Sequence, residues 1–359
     1  MIAIFIFILI LSLLILVHEC GHFFAARLHG VRVEQFSLGF GPAVFKRKRG
    51  DTEYKINLIP LGGYVKMAGD SRLEYRGQPD EYFSQPIAKR FAIIFCGPLL
   101  NYLLGFLFFW LILFTGYPSL TSKVGGLIDD YGAKAAGLEV GDNIIEVDGR
   151  RVELWDELQQ AIRARKNPAS VEVKVLRSEQ ELRFTVGIKD KILDDQLGQQ
   201  KALGIIGVSP FDEIVETRHG FWASAYLGVK KTLELTAMTY TGLWRLVTGQ
   251  MSMRDSMTGP LGIFFITSKA AKLGIVSLLH LLAVLSVSLA IFNLLPLPVL
   301  DGGHIFLLGL EKIRKRALGV KAEELINNIG VSLMVALALV VTYNDIIRLY
   351  TEKFSKVIK

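Results

Sequence analysis

Four stretches of the chain are apolar for long enough to matter. The first runs from about Ile2 to Leu28, and Ser12 is the one polar residue in its first sixteen. The second runs from Phe91 to about Tyr117, the third from Ile275 to Leu297, and a weaker fourth from about Ile326 to Leu349. A helix needs about 20 residues to cross a hydrocarbon core of about 30 Å, and each stretch is long enough. Between them the pattern changes. Residues 33–45 and 53–67 flank the turn-like "KRKRGD" and read as a β-hairpin. Residues 123–189 alternate short β runs with one helix at about 155–165, and "ALGIIGVSP" at 202–210 reads as a strand returning towards the membrane. Residues 220–248 are apolar but carry Lys230, Lys231 and Glu234 at their middle. Each such charge costs about 2.5–3.5 kcal/mol at the centre of a spanning helix. The expectation is therefore an amphipathic helix on the outer surface.

The fold class is a polytopic α-helical membrane protein of about four transmembrane helices. Hydrophobic residues make up 51% of the 359, more than a soluble core requires. Basic residues orient it. Residues 27–90 hold twelve Lys/Arg, and Lys312, Arg314, Lys315, Arg316 and Lys321 follow the third span. Both segments are expected on the cytoplasmic side, with 118–274 outside. The basic tail at Lys353, Lys356 and Lys359 runs against this assignment. The net charge of +7 is accounted for by anchoring to membrane lipids and calls for no nucleic acid. The first span lacks the basic start and small-residue cleavage site of a signal peptide. Cys20 and Cys96 lie in or beside spans, which excludes a disulfide framework.

The resulting boundaries are helix 1 at 1–28, a cytoplasmic-side hairpin loop at 29–90 and helix 2 at 91–117. An extracytoplasmic α+β domain follows at 120–190, then a linker with the amphipathic helix at 191–274. Helix 3 takes 275–301, a cytoplasmic loop 302–325 and helix 4 residues 326–350.

Chemistry concentrates where burial is costly. "LVHECGHFFAAR" at 16–27 places His18, Glu19 and His22 at the end of an apolar run. Residues four apart share a helix face, so His18 and His22 can bind one metal ion, with Glu19 beside them as a general base. Ionisable groups inside a membrane helix are expensive and usually functional. The alternative is a helix that has ended at a wet interface, but Phe23, Phe24, Ala25 and Ala26 continue the apolar run. Cys20 falls on the opposite face from His18. A catalytic zinc needs a third protein ligand, and "NLLPLPVLDGG" at 293–303 offers Asp301 after two helix-breaking prolines. A turn aspartate that merely caps the break is the alternative. His304 can support the site from behind the ligands, or else be a solvated loop residue.

His18-Glu19-x-x-His22 together with Asn293-x-x-Pro296-x-Pro298-x-x-Asp301-Gly302 resembles the site-2 protease family of intramembrane zinc metalloproteases, and within it the bacterial regulator-of-sigma-E protease (RseP-like) group. "GFGP" at 39–42, "PLGGYVKMAGD" at 60–70, "GPLLN" at 97–101 and "TGPLGI" at 258–263 extend the resemblance over nearly the whole chain. It implies that His18, His22 and Asp301 bind Zn2+ and that Glu19 activates the zinc-bound water. Asn293 and Asn101 would hold the substrate backbone or the developing oxyanion, with Gly62 and Gly63 at the substrate. The reaction would cut membrane proteins such as anti-sigma factors or leftover signal peptides in the bacterial inner membrane.

Cutting a helix requires opening it, and a free hairpin edge can pair with the unwound segment. "AAGLEVGDNIIEVDG" resembles bacterial PDZ domains, with Val124-Gly125-Gly126-Leu127 expected at the carboxylate-binding loop. That domain would contact peptide termini or act as a size filter. Two other classes compete. An inactive PDZ-bearing scaffold would lack one of His18, Glu19, His22 or Asp301, and all four are present. A secondary transporter would show an internal repeat, and none is found.

Overall fold

The computed structural model describes residues 2–163, 170–194, 200–252, 258–316 and 319–357. The chain divides into two compact units: residues 1–112, 222–247 and 252–359 form the first, and 113–221 with 248–251 form the second.

In the first unit, helix α1 spans Ile2–Leu28. It ends where Gly30 takes φ 79° and the Val31 N–H donates to the Ala26 carbonyl, a glycine-terminated cap. Strands β1 (Val33–Arg49) and β2 (Thr52–Met67) follow, then helix α2 (Ile87–Thr115). The expected hairpin is wider than two strands. Phe36 faces both Tyr54 and Val65, and Leu38 faces both Ile56 and Gly63, while Phe45 faces Ile56 as well. Each long strand bends back on itself, giving four legs in the order 63–67, 33–38, 52–57 and 43–49; the outer pairs run antiparallel and the central pair, 33–38 beside 52–57, runs parallel. Glycines at the bends make this feasible, since Gly39, Gly41 and Gly62 all have positive φ. The 63–67 leg lies along α1: a Cβ at Gly63 would meet Ile15 and Glu19, and Ser12 Oγ donates to the Pro60 carbonyl, in the bend before that leg, at 3.4 Å.

The second unit carries strands β3 (Tyr117–Leu120) and β4 (Val124–Leu127), the turn helix α3 (Gly132–Ala135), β5 (Asn143–Val147), β6 (Arg150–Arg151) and α4 (Trp155–Arg163). Strands β7 (Ser170–Arg177), β8 (Gln180–Gly187), β9 (Lys189–Asp194), β10 (Gln200–Ile205), β11 (Val208–Pro210) and β12 (Ile214–Thr217) complete it. A sheet ordered β6-β5-β7-β8 packs its Val and Ile side chains against Trp155, Leu158 and Ile162 of α4. The expected helix end at 164–165 lies outside the described residues. The expected loop position of Val124–Leu127 is not borne out: these residues form β4 and pair with β11. A Cβ at Gly125 would collide with the Pro210 carbonyl, so the glycine serves strand packing. The groove beside α4 is walled instead by Gly204–Val208.

The chain returns to the first unit through helices α5 (Phe221–Val247), α6 (Pro260–Leu273), α7 (Ile275–Asn293), α8 (Asp301–Arg314) and α9 (Val320–Val357). Among the described residues, Ile2–Leu28, Ile87–Thr115, Ile275–Asn293 and Val320–Thr351 are long and apolar enough to cross a membrane. One expectation changes. Residues 302–314 are helical rather than loop, because Leu308 and its neighbours bury one face of α8 while Arg90 of α2 holds Glu311 at 3.0 Å. Helix α5, expected on the outer surface, packs antiparallel along α2. Gly228 abuts Trp110, and Tyr102 bonds Thr236 at 2.9 Å.

Candidate metal centre

The first two donors come from one helix. His18 and His22 lie one turn apart on α1, both buried, with their Nε2 atoms 3.2 Å apart. The third comes from a break between helices. After Asn293 the chain leaves α7, and Leu294–Leu300 form turns in which Val299 takes φ 76°. That value is strained for a β-branched residue. The chain re-enters a helix at Asp301, in the first turn of α8. Close packing holds the break in place. A Cβ at Gly302 would collide with the Leu294 and Leu295 carbonyls, and one at Gly303 with the Leu297 carbonyl.

Asp301 thereby meets both histidines, Oδ2 at 3.1 Å from His18 Nε2 and Oδ1 at 3.4 Å from His22 Nε2. Tetrahedral zinc with bonds of about 2.0–2.1 Å has ligand atoms about 3.3 Å apart, and the three separations match. The donor set, two imidazoles and one carboxylate, is also one that zinc uses at catalytic sites. His22 Nδ1–H donates to the Ile93 carbonyl at 3.0 Å, which fixes the tautomer and leaves Nε2 bare for a cation. His18, His22 and Asp301 form the group of potential ligands found among the described residues.

The cavity around them takes in Glu19 and Asn293 as well. The Asn293 amide nitrogen stands 3.5 Å from both ring nitrogens of His18. Gly63 passes so close over α1 that a Cβ there would lie 3.1 Å from Glu19 Cγ. Gly63, Tyr64, Val65 and Met67, in the 63–67 leg of the sheet, thus form one wall. His304, in the first turn of α8, also lines the cavity.

Two expected substrate residues stand apart. Asn101 is fully buried in α2, its amide atoms without a partner, and is not among the residues lining the cavity. Gly62 is also absent from the wall. It makes the bend at φ 116°, against the Phe40 ring. Three residues escaped the sequence reading. Asp70 and Tyr82 line the cavity, and burial raises the Asp70 carboxyl and the Tyr82 phenol above their ordinary values. Gly97 lets α2 cross α1 at the metal site, since a side chain there would collide with the His22 ring. The stretches "MAGD" and "GPLLN" carried Asp70 and Gly97, but only as matched motifs without roles, and Tyr82 lay in neither.

The profile of Peptidase family M50 matches residues 6–337 of this chain. The regulator of sigma-W protease RasP of Bacillus subtilis is 29% identical, covering 96% of this chain and 98% of its own length. The zinc metalloprotease RasP of Geobacillus kaustophilus is 30% identical over 95% and 96%. A protein of Agrobacterium fabrum assigned as a zinc metalloprotease is 34% identical over 95% and 94%. Among solved structures, the PDZ domain of an SdrC-like protein from Listeria innocua is 22% identical, covering 26% of this chain and 96% of that one, with a TM-score of 0.21.

Proposed function

The chain belongs to peptidase family M50 and is a zinc metalloprotease; from that premise we propose that it hydrolyses peptide bonds within or beside the membrane-spanning segments of other proteins. One observation carries this reading: two donors of a zinc-shaped set, His18 and His22, share with Glu19 a helix apolar enough to span a membrane, and Asp301 meets them there.

We assign zinc binding to His18, His22 and Asp301. Zinc held there supplies a Lewis acid that brings the pKa of water down to about 7 and polarises a carbonyl. The chain supplies the rest. The His22–Ile93 bond keeps one imidazole aimed at the ion. Glu19 takes the proton from the attacking water and returns it to the leaving amine. The Asn293 amide donates a hydrogen bond to the scissile carbonyl as charge develops on it. The absence of a side chain at Gly63 leaves room for a peptide beside Glu19. The free edge of the 63–67 leg receives the unwound substrate as an added strand. Substrate contact is thus assigned to Asn293 and Gly63, and Asn101 and Gly62 to packing.

The basic segments at 46–49, 89–90 and 312–316 favour the cytoplasmic side for the sheet and for α8. The second unit then lies outside a bacterial inner membrane as a PDZ-like size filter. Membrane-bound anti-sigma factors and leftover signal peptides are the substrates this reading proposes, the former in keeping with the sigma-W regulator name of one relative.

The test is cleavage of a single-span model substrate by purified protein, wild type against Glu19→Gln, with and without a zinc chelator. Wild-type cutting that both changes abolish, with zinc retained by Glu19→Gln, is expected. Zinc-loaded wild type that leaves a panel of such substrates intact would favour an inactive membrane scaffold.

A further inference from the structure

The outer leg of the sheet, residues 43–49, is exposed along its whole length and has two different ends. Its deep end is apolar: Phe40, Val44, Phe45, Ile56, Leu58 and Ile59 are each about half exposed or more. Its other end is the run Lys46-Arg47-Lys48-Arg49.

Contacts with α1 set the depth of each end. The Pro60 carbonyl, beside the apolar bend, takes its hydrogen bond from Ser12. Ser12 lies 16 residues before the end of α1, about 24 Å along the helix. The basic end turns back at Thr52, whose hydroxyl donates to the Val33 carbonyl at 2.8 Å, just beyond the C-terminus of α1. One leg therefore reaches from acyl-chain depth to headgroup level, with its basic residues at the headgroup end.

The charge at that end is poorly compensated within the protein. Lys46 stands directly opposite Lys55, a like-charge cross-strand pair that disfavours the ladder. Glu53 holds Lys55 at 2.7 Å and also faces Lys48. Five basic side chains, Lys46 to Arg49 and Lys55, share this tip with two acidic ones, Asp51 and Glu53. An array of anions would relieve the repulsion. At this depth, beside apolar side chains, the array of matching chemistry is a leaflet of anionic phospholipid.

The same sheet reaches the metal centre. Its legs run in the order 43–49, 52–57, 33–38, 63–67, so the basic edge and the edge over Glu19 are opposite margins of one hydrogen-bonded body. The buried Asn57 amide donates to Ser37 Oγ at 2.9 Å and to the Gly39 carbonyl at 3.0 Å, which stiffens the middle. A body tied together in this way can carry a tilt from one margin to the other.

We propose that Lys46–Arg49 dock on anionic phospholipid headgroups, and that this docking sets the Gly63–Met67 edge over Glu19 and so tightens substrate binding. The second half of the proposal rests on the proteolytic reading above; the docking half does not.

The test uses the full chain in nanodiscs of phosphatidylcholine alone, or with about 30% phosphatidylglycerol. Wild type is compared with the K46Q/R47Q/K48Q/R49Q variant, whose zinc content reports intact folding. Phosphatidylglycerol is expected to lower the wild-type KM for a single-span substrate about five-fold and to leave the variant unchanged. A second readout needs no proteolytic activity. Tryptic cutting after residues 46–49 of Glu19→Gln protein should slow several-fold in the anionic discs. Equal tryptic rates in both discs would overturn the docking. A wild-type KM indifferent to phosphatidylglycerol, or a variant that responds as wild type does, would overturn the coupling to substrate. So would a soluble polyanion that lowers KM in phosphatidylcholine discs as well as phosphatidylglycerol does. Tryptic protection without cleavage of any substrate would leave docking standing and count against the protease reading.

Discussion

The metal centre draws its donors from two regions built on opposite plans. In α1 the helix is unbroken, and its period alone puts His18 and His22 on one face. Between α7 and α8 the helix is interrupted, and Asp301 is placed by turns, a strained Val299 and glycines that admit neighbouring carbonyls. The first region obtains geometry from regularity, whereas the second obtains it from irregularity held by packing. The contrast explains why Glu19 stands beside the candidate ligands rather than among them. A helix presents neighbours on predictable sides, so a base can be set one residue from a ligand, while a break can aim a single carboxylate between two imidazoles.

The largest effect expected from disturbing the regular side is at Glu19. Glu19→Gln should lower kcat by about 10²–10⁴-fold, the usual range for a general base, with zinc stoichiometry unchanged by metal analysis. Loss of zinc together with activity would mean that Glu19 is a ligand and that the division of roles fails. Next comes the crossing of α1 and α2. In Gly97→Ala the new methyl group meets the His22 ring, and zinc affinity measured by chelator competition should fall about 10–100-fold, as for other outer-shell changes. Unaltered affinity would show that the crossing has slack.

The irregular side should respond with the opposite sign in stability. Val299→Gly removes a strain of about 1–3 kcal/mol, partly offset by the chain entropy of glycine. The melting temperature should rise slightly while zinc binding weakens, because Asp301 is then aimed less firmly. A fall in both would mean that Val299 acts by packing rather than by conformation. The smallest effect concerns the anchor of α8. Its hydrogen bond to Arg90 holds the Glu311 carboxyl below its ordinary value of 4.5. That stabilisation is complete above the unfolded value and is lost as pH falls through the lower native one. Glu311→Gln should lower stability slightly at neutral pH and flatten the acid limb, so that the variant and wild-type curves converge as pH falls. An acid limb identical to that of wild type would dismiss the pair.

What the sequence disclosed follows the same division. The spanning helices were legible because apolar runs of that length have few other uses, and His18, Glu19 and His22 because helical spacing is a strong constraint. Asp301 was legible only through its prolines and a resembling motif. The doubling of the hairpin was not. Period-two alternation says which face a residue takes, but not that Leu38 pairs on both sides. The packing of helix α5 along α2 was not legible either: Lys230 and Glu234 suggested a surface helix, and no periodicity marks small residues such as Gly228 as the contact with α2. Asp70 and Tyr82 lie far from the motif in sequence and reach the cavity only through the packing of the loop that carries them.

The central claim is that one helix and one break together hold zinc through His18, His22 and Asp301. X-ray absorption at the zinc edge tests it most directly, on wild type and Asp301→Asn. The account predicts two imidazole nitrogens and light oxygen scatterers in the wild type, with zinc lost or its oxygen shell altered in the variant. Sulfur scattering from Cys20 or Cys96, or a zinc shell unaffected by the loss of Asp301, would contradict it.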